Sequence, residues 1–390
     1  MLASMPLILL ATILTLSALY APQPLLPTLA DTFGVSRDAA ALLVTLTFIP
    51  LALAPLGYGY LLQAVEPRRV LRTCFALLGL SALVFAASKS FALLLAIRLF
   101  QGLLVPALLT SLMTYVSRRS GVGDVQRQMA IYIAATILGG FLGRLVSGAL
   151  AAWTDWRVSF VVLGCCLLGL TLLLGRLPAA GGLELARPRP ALLAEVLGRG
   201  FFLRLYLAVF CLFLVFAGVM NFIPFRLTDL SEQANELRIG LMYSGYLMGV
   251  VSSLSATRLC RRLGGELRVL CTGFGLYLLA CLLLAVPDVR LLFVNMFLFC
   301  GGMFLVHATA SGWINRFAGS HKGVVNGLYI AFYYGGGAIG SSAPGPVYAW
   351  FGWNGVVAGL VLTALAGLAL ALSLIPELRR GVQPFAAGEG

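Results

Sequence analysis

Three ionisable side chains stand inside long apolar runs of this sequence, where a charge is costly. Arg98 and Arg144 each interrupt such a run, and His307 lies within a third. A buried arginine costs at least about 2.5–3.5 kcal/mol even on lenient membrane-insertion scales, so its default interpretation is functional. Guanidinium groups bind carboxylate or phosphate in a bidentate manner, and imidazole can carry protons near neutral pH. These residues therefore predict an anion site and a proton site, with Asp31 as the second proton candidate.

Each of the three residues also has a structural interpretation. Arg98 could extend to the outer interface or bond helix carbonyls, with Asp31 or Asp155 as a partner. Arg144 could likewise tie helices together, and His307 could be a hydrogen-bonded packing residue. Both interpretations stay open at this point.

The composition requires that membrane helices position these residues. The chain has 390 residues, of which 60% are apolar and 11% charged, and its mean hydropathy is +0.98. Soluble domains carry about 25% charged residues, so a soluble globule, a disordered chain and a disulfide scaffold are excluded. The apolar runs are continuous over about twenty residues, which fits membrane-spanning helices and not alternating barrel strands.

Other features of the composition are consistent with this class. The eight cysteines are scattered without metal-ligand spacing, and we expect neither a disulfide nor a metal site. The net charge of +13 lies mostly in short loops, which favours a role in topology over nucleic-acid binding. The first apolar run ends at Pro22-Gln23-Pro24 and lacks a basic start, so it predicts a retained span and not a signal peptide.

Charged or Pro/Gly breaks divide the apolar sequence into twelve predicted helices. Their approximate limits are 7–29, 39–62, 70–88, 91–117, 128–152, 157–177, 203–227, 239–260, 268–286, 289–316, 323–349 and 352–375. The longest loop is rich in Pro, Gly and Arg and divides the chain into two six-helix bundles. We expect an N-terminal bundle at 1–177, a cytoplasmic linker at 178–202 and a C-terminal bundle at 203–390.

The basic residues predict the orientation. With both termini in the cytoplasm, 19 Lys and Arg residues fall in inside loops and the tail, 6 in outside loops, and two within spans. Cytoplasmic loops carry an excess of Lys and Arg, so this split indicates cytoplasmic termini. We expect a multi-pass protein of a bacterial inner membrane.

The two halves repeat each other at a shift of 197 residues. Four glycines of span 5 fall on four glycines of span 11: Gly139, Gly140, Gly143 and Gly148 on Gly336, Gly337, Gly340 and Gly345. Trp153 and Trp156 fall on Trp350 and Trp353 in the same register. Two similar halves around a central pathway are typical of secondary transporters.

Specific motifs make the chain similar to the major facilitator superfamily over essentially its whole length. Arg98-Leu99-Phe100-Gln101-Gly102 matches the RxxQG motif of that superfamily in span 4. The loop after span 2, with Gly59, Arg68 and Arg69, resembles its gating loop, although Gln63 and Glu66 replace the usual Asp and Gly. Three further segments resemble the arabinose-efflux-type, drug:proton-antiporter-like branch: Tyr20–Pro27, Gly139–Phe160 and Asn326–Tyr334.

The resemblance implies an all-α major facilitator fold with a central substrate site near the bilayer midplane. Spans 1 and 7 line the pathway in that superfamily, which adds Gln23 and Asn221 to Arg98 and Arg144 as candidate substrate ligands. Helix position adds further candidates on spans 4, 5 and 11: Gln101, Tyr132, Thr136, Asn326, Tyr329 and Tyr333. Each of these residues could equally serve as interhelical glue.

The sign of the charges within the membrane predicts the class of substrate. All 14 acidic residues fall in loops, at helix ends or in the tail, whereas cation exporters of the superfamily often embed a carboxylate. We therefore expect proton-coupled efflux of a small anionic or carboxylate-bearing metabolite, drug-like or siderophore-like, by alternating access. The alternative is symport-driven import of an organic anion or an iron-siderophore.

The sequence contains no enzyme signature. There is no Walker motif, and Gly335-Gly336-Gly337 follows no strand, so nothing indicates direct use of ATP or a dinucleotide. We expect a transporter without cofactor, driven by the proton gradient. Its predicted partners are a small-molecule substrate and the lipid bilayer, and the protein is expected to act as a monomer. A receptor or enzyme on a transporter-like scaffold is the remaining alternative from a different class.

Overall fold

Seven helices form the N-terminal half of the protein in the computed structural model, which describes residues 5–62, 65–119, 125–177, 189–381 and 385. These helices are α1 (Met5–Tyr20), α2 (Leu26–Phe33), α3 (Arg37–Leu61), α4 (Pro67–Ala87), α5 (Phe91–Arg119), α6 (Val125–Trp153) and α7 (Trp156–Leu174). Ser36 and Asp155 cap α3 and α7, since each side chain accepts a hydrogen bond from a backbone N–H of the first turn.

The C-terminal half repeats this plan with one additional short helix before it and one after it. Its helices are α8 (Pro190–Gly198), α9 (Gly200–Leu230), α10 (Glu236–Met242), α11 (Met248–Leu263), α12 (Glu266–Leu283), α13 (Val289–Phe317), α14 (Lys322–Gly340), α15 (Pro344–Leu372) and α16 (Ile375–Arg380). Residues 190–198 of the predicted linker therefore form α8, and residues 178–188 lie outside the described part of the chain.

Apart from the short helices α8 and α16, the helices of the described residues form twelve membrane passes, as the sequence predicts. Eleven segments among the described residues are long and apolar enough to cross a bilayer. The remaining one, α14, is rich in Gly and Tyr and less apolar. It runs parallel to α9, in the same direction: the Tyr206 hydroxyl near the start of α9 donates to Val325 O near the start of α14, and the Asn221 amide donates to Ser341 O just past the end of α14. Tyr206 and Asn221 are about 22 Å apart along α9, so α14 also crosses most of the membrane.

The boundary between the last two spans differs from the prediction of 323–349 and 352–375. Helix α14 ends at Gly340, and helical structure resumes at Pro344. A sharp break then occurs at Gly352, whose φ of +64° is accessible to glycine at little cost. Trp353 follows the break and donates its indole N–H to Leu284 O, which anchors the start of the last pass.

The glycine repeat of the sequence corresponds to a repeated helix contact. A Cβ atom at any of four glycines would collide with the backbone of the facing helix: Gly139 with Ile13, Gly143 with Ser17, Gly336 with Phe210 and Gly340 with Leu214. Both members of each contact are shifted by 197 residues between the halves. Helix α6 therefore packs on α1 as α14 packs on α9, and small residues permit this close approach.

Two spans that the sequence predicts as continuous helices, 7–29 and 239–260, are interrupted. Span 1 ends its first helix at Tyr20 and continues through a 3₁₀ turn, Gln23–Leu25, into α2. Pro22 and Pro24 cause this break, because proline has no N–H to donate within a helix. Span 8 contains a 3₁₀ segment, Tyr243–Leu247, between α10 and α11.

The two halves meet along two pairs of elements. Helix α3 packs against α14, and α6 packs against α10 and the 3₁₀ segment after it. We name the two ends of the molecule after acidic residues found there. The Asp229 end holds the α2–α3 turn, the end of α9 and the start of α15, and the Glu377 end holds the start of α9, the end of α15 and α16.

Candidate substrate site

Arg144 occupies the centre of the interface between the two halves. Its side chain is fully buried, Nε donates to Gln23 Oε1 at 2.6 Å, and Nη1 donates to Gly140 O at 2.7 Å. Three tyrosine rings surround the guanidinium carbon at 4.1, 4.8 and 4.6 Å: those of Tyr20, Tyr243 and Tyr246. The rings supply cation–π attraction from both halves of the protein.

Both interrupted spans deliver residues to this cage. Tyr20 is the last residue of α1 and Gln23 opens the 3₁₀ turn after it. Tyr243 and Tyr246 lie on the 3₁₀ segment of span 8, where side chains three residues apart point in the same direction. Gly140 faces Tyr20 and Tyr246, so the absence of a side chain there makes room for both rings. Interrupted helices at mid-membrane depth are typical of transporter binding sites.

The charge of Arg144 is left without a counter-ion. Among the described residues no carboxylate pairs with it, and its Nη2 is buried without a hydrogen-bond partner. Eleven of the acidic residues are described, and each lies near a helix end, in a loop or in one of the short helices α2, α8 and α16. An unpaired buried donor costs about 1–3 kcal/mol, and more when it is charged. The arrangement is therefore suited to an incoming anion.

A chain of hydrogen bonds connects Arg144 to the C-terminal half. Gln23 accepts from Arg144 and donates through Nε2 to Asn221 Oδ1 at 3.1 Å. Asn221 in turn donates to Ala41 O and Ser341 O, and the Ser341 hydroxyl lies 2.7 Å from that of Thr45. Ser341 is the repeat counterpart of Arg144. The N-terminal half therefore has a guanidinium at this position, and the C-terminal half has a hydroxyl. Gln23 and Asn221 thus link the halves beside the site.

Arg98 lies in different surroundings, inside the N-terminal bundle. Its guanidinium donates to Ala18 O at 3.1 Å, Leu19 O at 2.7 Å and Leu43 O at 2.8 Å. Its Nη1 also donates to Gln101 Oε1, and Gln101 donates to Ser81. Ala18 and Leu19 carry carbonyls of the last turn of α1, which lack intrahelical partners. Arg98 therefore caps the end of α1, and Gln101 supports it.

His307 belongs to a second group of residues on α13 and α14, closer to the Glu377 end. The Tyr329 hydroxyl lies 2.8 Å from His307 Nδ1, and the Tyr333 ring lies 4.8 Å from the half-buried imidazole. Tyr333 also stacks on Phe213 at 3.7 Å. The structure thus places Tyr329 and Tyr333 at the predicted proton site, whereas Asn326 pairs with Asn315 through two amide hydrogen bonds.

The remaining predicted residues lie apart from both groups. Tyr132 donates to Leu109 O, and Thr136 donates to Ile133 O within its own helix. Asp31 is exposed in α2. In the predicted gating loop, Gly59 lies within α3, whereas Arg68 bonds Leu177 O and both Arg68 and Arg69 pair with Glu66. Gln63 lies outside the described residues.

Hydrogen bonds between the halves extend from the site towards the Asp229 end. Among the described residues they join Gln23 to Asn221, Thr45 to Ser341, Asn221 to Ala41, Thr28 to Glu236, and Arg37 to Asp229. The last is a bidentate pair at 2.8 and 2.7 Å, and Tyr348 also donates to Asp229. The corresponding ion pairs at the Glu377 end, such as Arg204 with Glu377, lie within one half. The protein is therefore closed at the Asp229 end.

Reversing one charge of the Arg37–Asp229 pair is expected to open this end. An exposed pair contributes only about 1 kcal/mol, but reversal adds repulsion, so we expect an increase of about five- to tenfold in the open population. Spin labels on cysteines introduced at the exposed positions Thr32 and Glu232 would measure the distance between these two positions across the Asp229 end. The native cysteines would be replaced in the same variant.

The control for this measurement is the exchanged pair. Arg37→Asp combined with Asp229→Arg restores the attraction and should return the short distance, whereas Asp229→Arg alone should lengthen it. An unchanged distance in the single variant would show that the pair does not hold the Asp229 end closed.

Comparisons with known proteins agree with this architecture. A family model described as Major Facilitator Superfamily matches residues 8–341 and 227–390. Escherichia coli (strain K12) has a relative, the inner membrane transport protein YnfM, which is 30% identical over 365 residues, covering 92% of this chain and 87% of that protein. The MFS-type transporter YybF of Bacillus subtilis (strain 168) is 26% identical over 360 residues, covering 91% and 89%.

Solved structures with low identity show the same fold. A bacterial homologue of the human lysosomal transporter Spinster, in an inward-facing and occupied conformation, superposes with a TM-score of 0.76 at 14% identity, covering 97% of this chain and 96% of that one. The human organic anion transporter MFSD10 gives a TM-score of 0.67 at 19% identity, covering 94% and 98%. With twelve passes, a glycine repeat in both halves and these relatives, the chain is a multi-pass membrane transporter that belongs to the major facilitator superfamily.

Proposed function

We propose that the protein exports a small organic molecule bearing a carboxylate or similar anionic group, in exchange for protons. The observation that carries this proposal is Arg144, a fully buried guanidinium with a free Nη2 and no carboxylate partner among the described residues. A carboxylate could accept from Nη2 in the geometry that arginine favours. The substrate would supply the missing negative charge.

The conformation supports entry of the substrate to the Arg144 site from the Glu377 end. The positive-inside distribution of Lys and Arg supports an orientation with that end, and both termini, on the cytoplasmic side of a bacterial inner membrane. The contacts at the Asp229 end then close the outward path. Rocking of the two halves would break Gln23–Asn221 and Arg37–Asp229 and expose the site to the outside. The protein would act as a monomer, without a cofactor.

An anion at Arg144 would also weaken the link between the halves. Gln23 Oε1 and the substrate carboxylate are both acceptors for the same guanidinium, so rotation of Arg144 towards the substrate would release Gln23. Gln23 would then no longer hold Asn221 in place. Substrate binding would thereby favour the outward-facing state through differential contacts in the two states.

His307 is the proposed proton site of the exchange cycle. It faces Tyr329 and Tyr333 near the Glu377 end, where protons would leave to the cytoplasm after moving inwards. An imidazole can gain and lose a proton near neutral pH, which a glutamine in its place cannot do.

The proposal is tested by proton flux in inverted membrane vesicles with an acidic interior. Addition of an organic carboxylate such as 2-naphthoate should dissipate the pH gradient in vesicles that contain the protein. Vesicles with Arg144→Met provide the matched background for passive diffusion of the acid. His307→Gln should keep substrate exchange at equal pH and lose dissipation of the gradient.

Three outcomes would contradict parts of this proposal. Dissipation by organic cations and not by carboxylates would exclude the anionic substrate class. Carboxylate movement in the same direction as protons would replace exchange by symport-driven import. His307→Gln vesicles that still couple to the gradient would exclude His307 as the proton site.

A further inference from the structure

Aromatic rings continue from Arg144 towards His307 along the surface where the two halves meet. We call this series the aromatic track and define it as Tyr20, Tyr246, Phe216, Phe213, Phe48 and Tyr333. Along it, ring centroids lie 6.4 Å apart for Tyr20–Tyr246, 5.7 Å for Tyr246–Phe216 and 5.9 Å for Phe216–Phe213. Phe213 then stacks on Tyr333, which contacts His307.

The track runs along the boundary between the halves, and rings of both halves contribute to it. Tyr20 and Phe48 come from the N-terminal half, and the other four rings come from the C-terminal half. Phe48 meets Phe213 at 5.7 Å across this boundary. Tyr333 is half-buried, and its ring lies 4.8 Å from that of His307. Surfaces of this kind must separate during transport, and rings placed there can contact a substrate.

The guanidinium of Arg144 and the rings of the aromatic track therefore lie next to each other. One end of the track is a guanidinium with a free donor, and the remainder is a wall of aromatic faces and edges. Aromatic rings prefer to pack with other aromatic rings in stacked or edge-to-face arrangements, beyond what burial of area alone provides. A ligand that matches both features carries a carboxylate on a planar aromatic body.

We propose that the substrates of this transporter are aromatic carboxylates, whose anionic group binds Arg144 and whose ring packs within the aromatic track. This proposal rests on the proposed function, because it adds a body of defined chemistry to the anion proposed there. An aliphatic carboxylate of the same size would make the same bond to Arg144 and lack the ring contacts. The protein should therefore discriminate between saturated and aromatic acids.

The test is calorimetric titration of the purified full-length protein with a matched set of probes. These are 2-naphthoate, its saturated analogue decahydro-2-naphthoate, and the neutral amide 2-naphthamide. We expect 2-naphthoate to bind about tenfold more tightly than the saturated acid, which corresponds to two or three aromatic contacts. Phe213→Leu should reduce that ratio to about threefold or less, since it removes the ring between Phe48 and Tyr333.

Phe201→Leu is the matched control for loss of a ring. Phe201 is another buried phenylalanine of α9, but it packs against Trp313 and Phe317 away from the track. Its replacement should leave the ratio of the two affinities unchanged. A ratio near one in the unmodified protein, or a ratio that survives Phe213→Leu, would overturn the aromatic proposal.

The two proposals fail in different ways in this experiment. If both acids bind equally and both need Arg144, the anion site stands and the aromatic proposal is wrong. If 2-naphthamide binds as tightly as 2-naphthoate and Arg144→Met changes neither affinity, the anion proposal is wrong. If neither acid binds up to about 10 mM, aromatic carboxylates are excluded as the substrate class.

Discussion

Arg144→Met is expected to abolish transport and to leave the protein folded. The variant removes the free donor on which anion binding would depend, and truncation of one partner of a buried charge pair typically costs about 2–5 kcal/mol. We therefore expect the transport efficiency, kcat/KM, to fall by about 100-fold or more. The folded protein should keep a similar thermal midpoint, because removal of an unpaired buried charge offsets the loss of the hydrogen bonds to Gln23 and Gly140.

Arg144→Lys separates the role of the charge from that of its shape. Lysine keeps the positive charge but cannot bind a carboxylate through a planar fork, so we expect an intermediate loss of about tenfold. Uptake assays in vesicles and thermal unfolding in detergent would measure both quantities on the same preparations. Unchanged transport in either Arg144→Ala or Arg144→Lys would refute the anion site.

The sequence predicts the architecture well because the membrane imposes strong rules. Apolar runs must be helices, and the shift of 197 residues that aligns Gly139 with Gly336 also aligns the helices that contact them, at Ile13 and Phe210. The sequence does not predict the local breaks within spans. Helix length and hydropathy do not reveal that span 8 changes to a 3₁₀ segment at Tyr243, although Ser244-Gly245 has a low helix propensity.

The candidate site could be predicted only in part. The sequence indicates Arg144, Gln23 and Asn221, because polar residues are rare in spans and each stands out. It does not indicate Tyr243 and Tyr246, because Phe and Tyr are common throughout the chain and nothing in their spacing distinguishes a cage from packing. Their common direction depends on the 3₁₀ turn, and their partner is 99 or more residues away in the sequence.

The two buried arginines show a further limit of the sequence. Arg98 and Arg144 have the same expected cost in the membrane, and the sequence predicts both as candidate substrate ligands. The difference between them lies in the helix each one faces. Arg98 faces the end of α1, where Pro22 has no N–H to offer Ala18 O, and its donors go to backbone carbonyls. Arg144 faces tyrosine rings, which leave a donor free.

Arg98→Met is accordingly expected to destabilise the protein, in contrast to Arg144→Met. It would leave the carbonyls of Ala18 and Leu19 buried without a donor at the end of α1, at about 1–3 kcal/mol each. It would also remove a positive charge from the negative end of that helix. We expect the thermal midpoint in detergent to fall on the order of 5–10 °C.

The contrast between the variants identifies what each arginine does. Because Arg98 fixes the break that positions Gln23, its loss should reduce the amount of folded transporter and increase KM only indirectly. Arg98→Lys, which keeps a donor for the carbonyls of α1, should recover most of the stability, whereas Arg144→Lys should not recover most of the transport. A stable Arg98→Met protein that has lost substrate binding would instead place Arg98 in the substrate site, as the sequence alone predicts. In that case the end of α1 would not depend on Arg98 for its stability. The hydrogen bonds that Arg98 donates to the carbonyls of Ala18, Leu19 and Leu43 argue against that outcome.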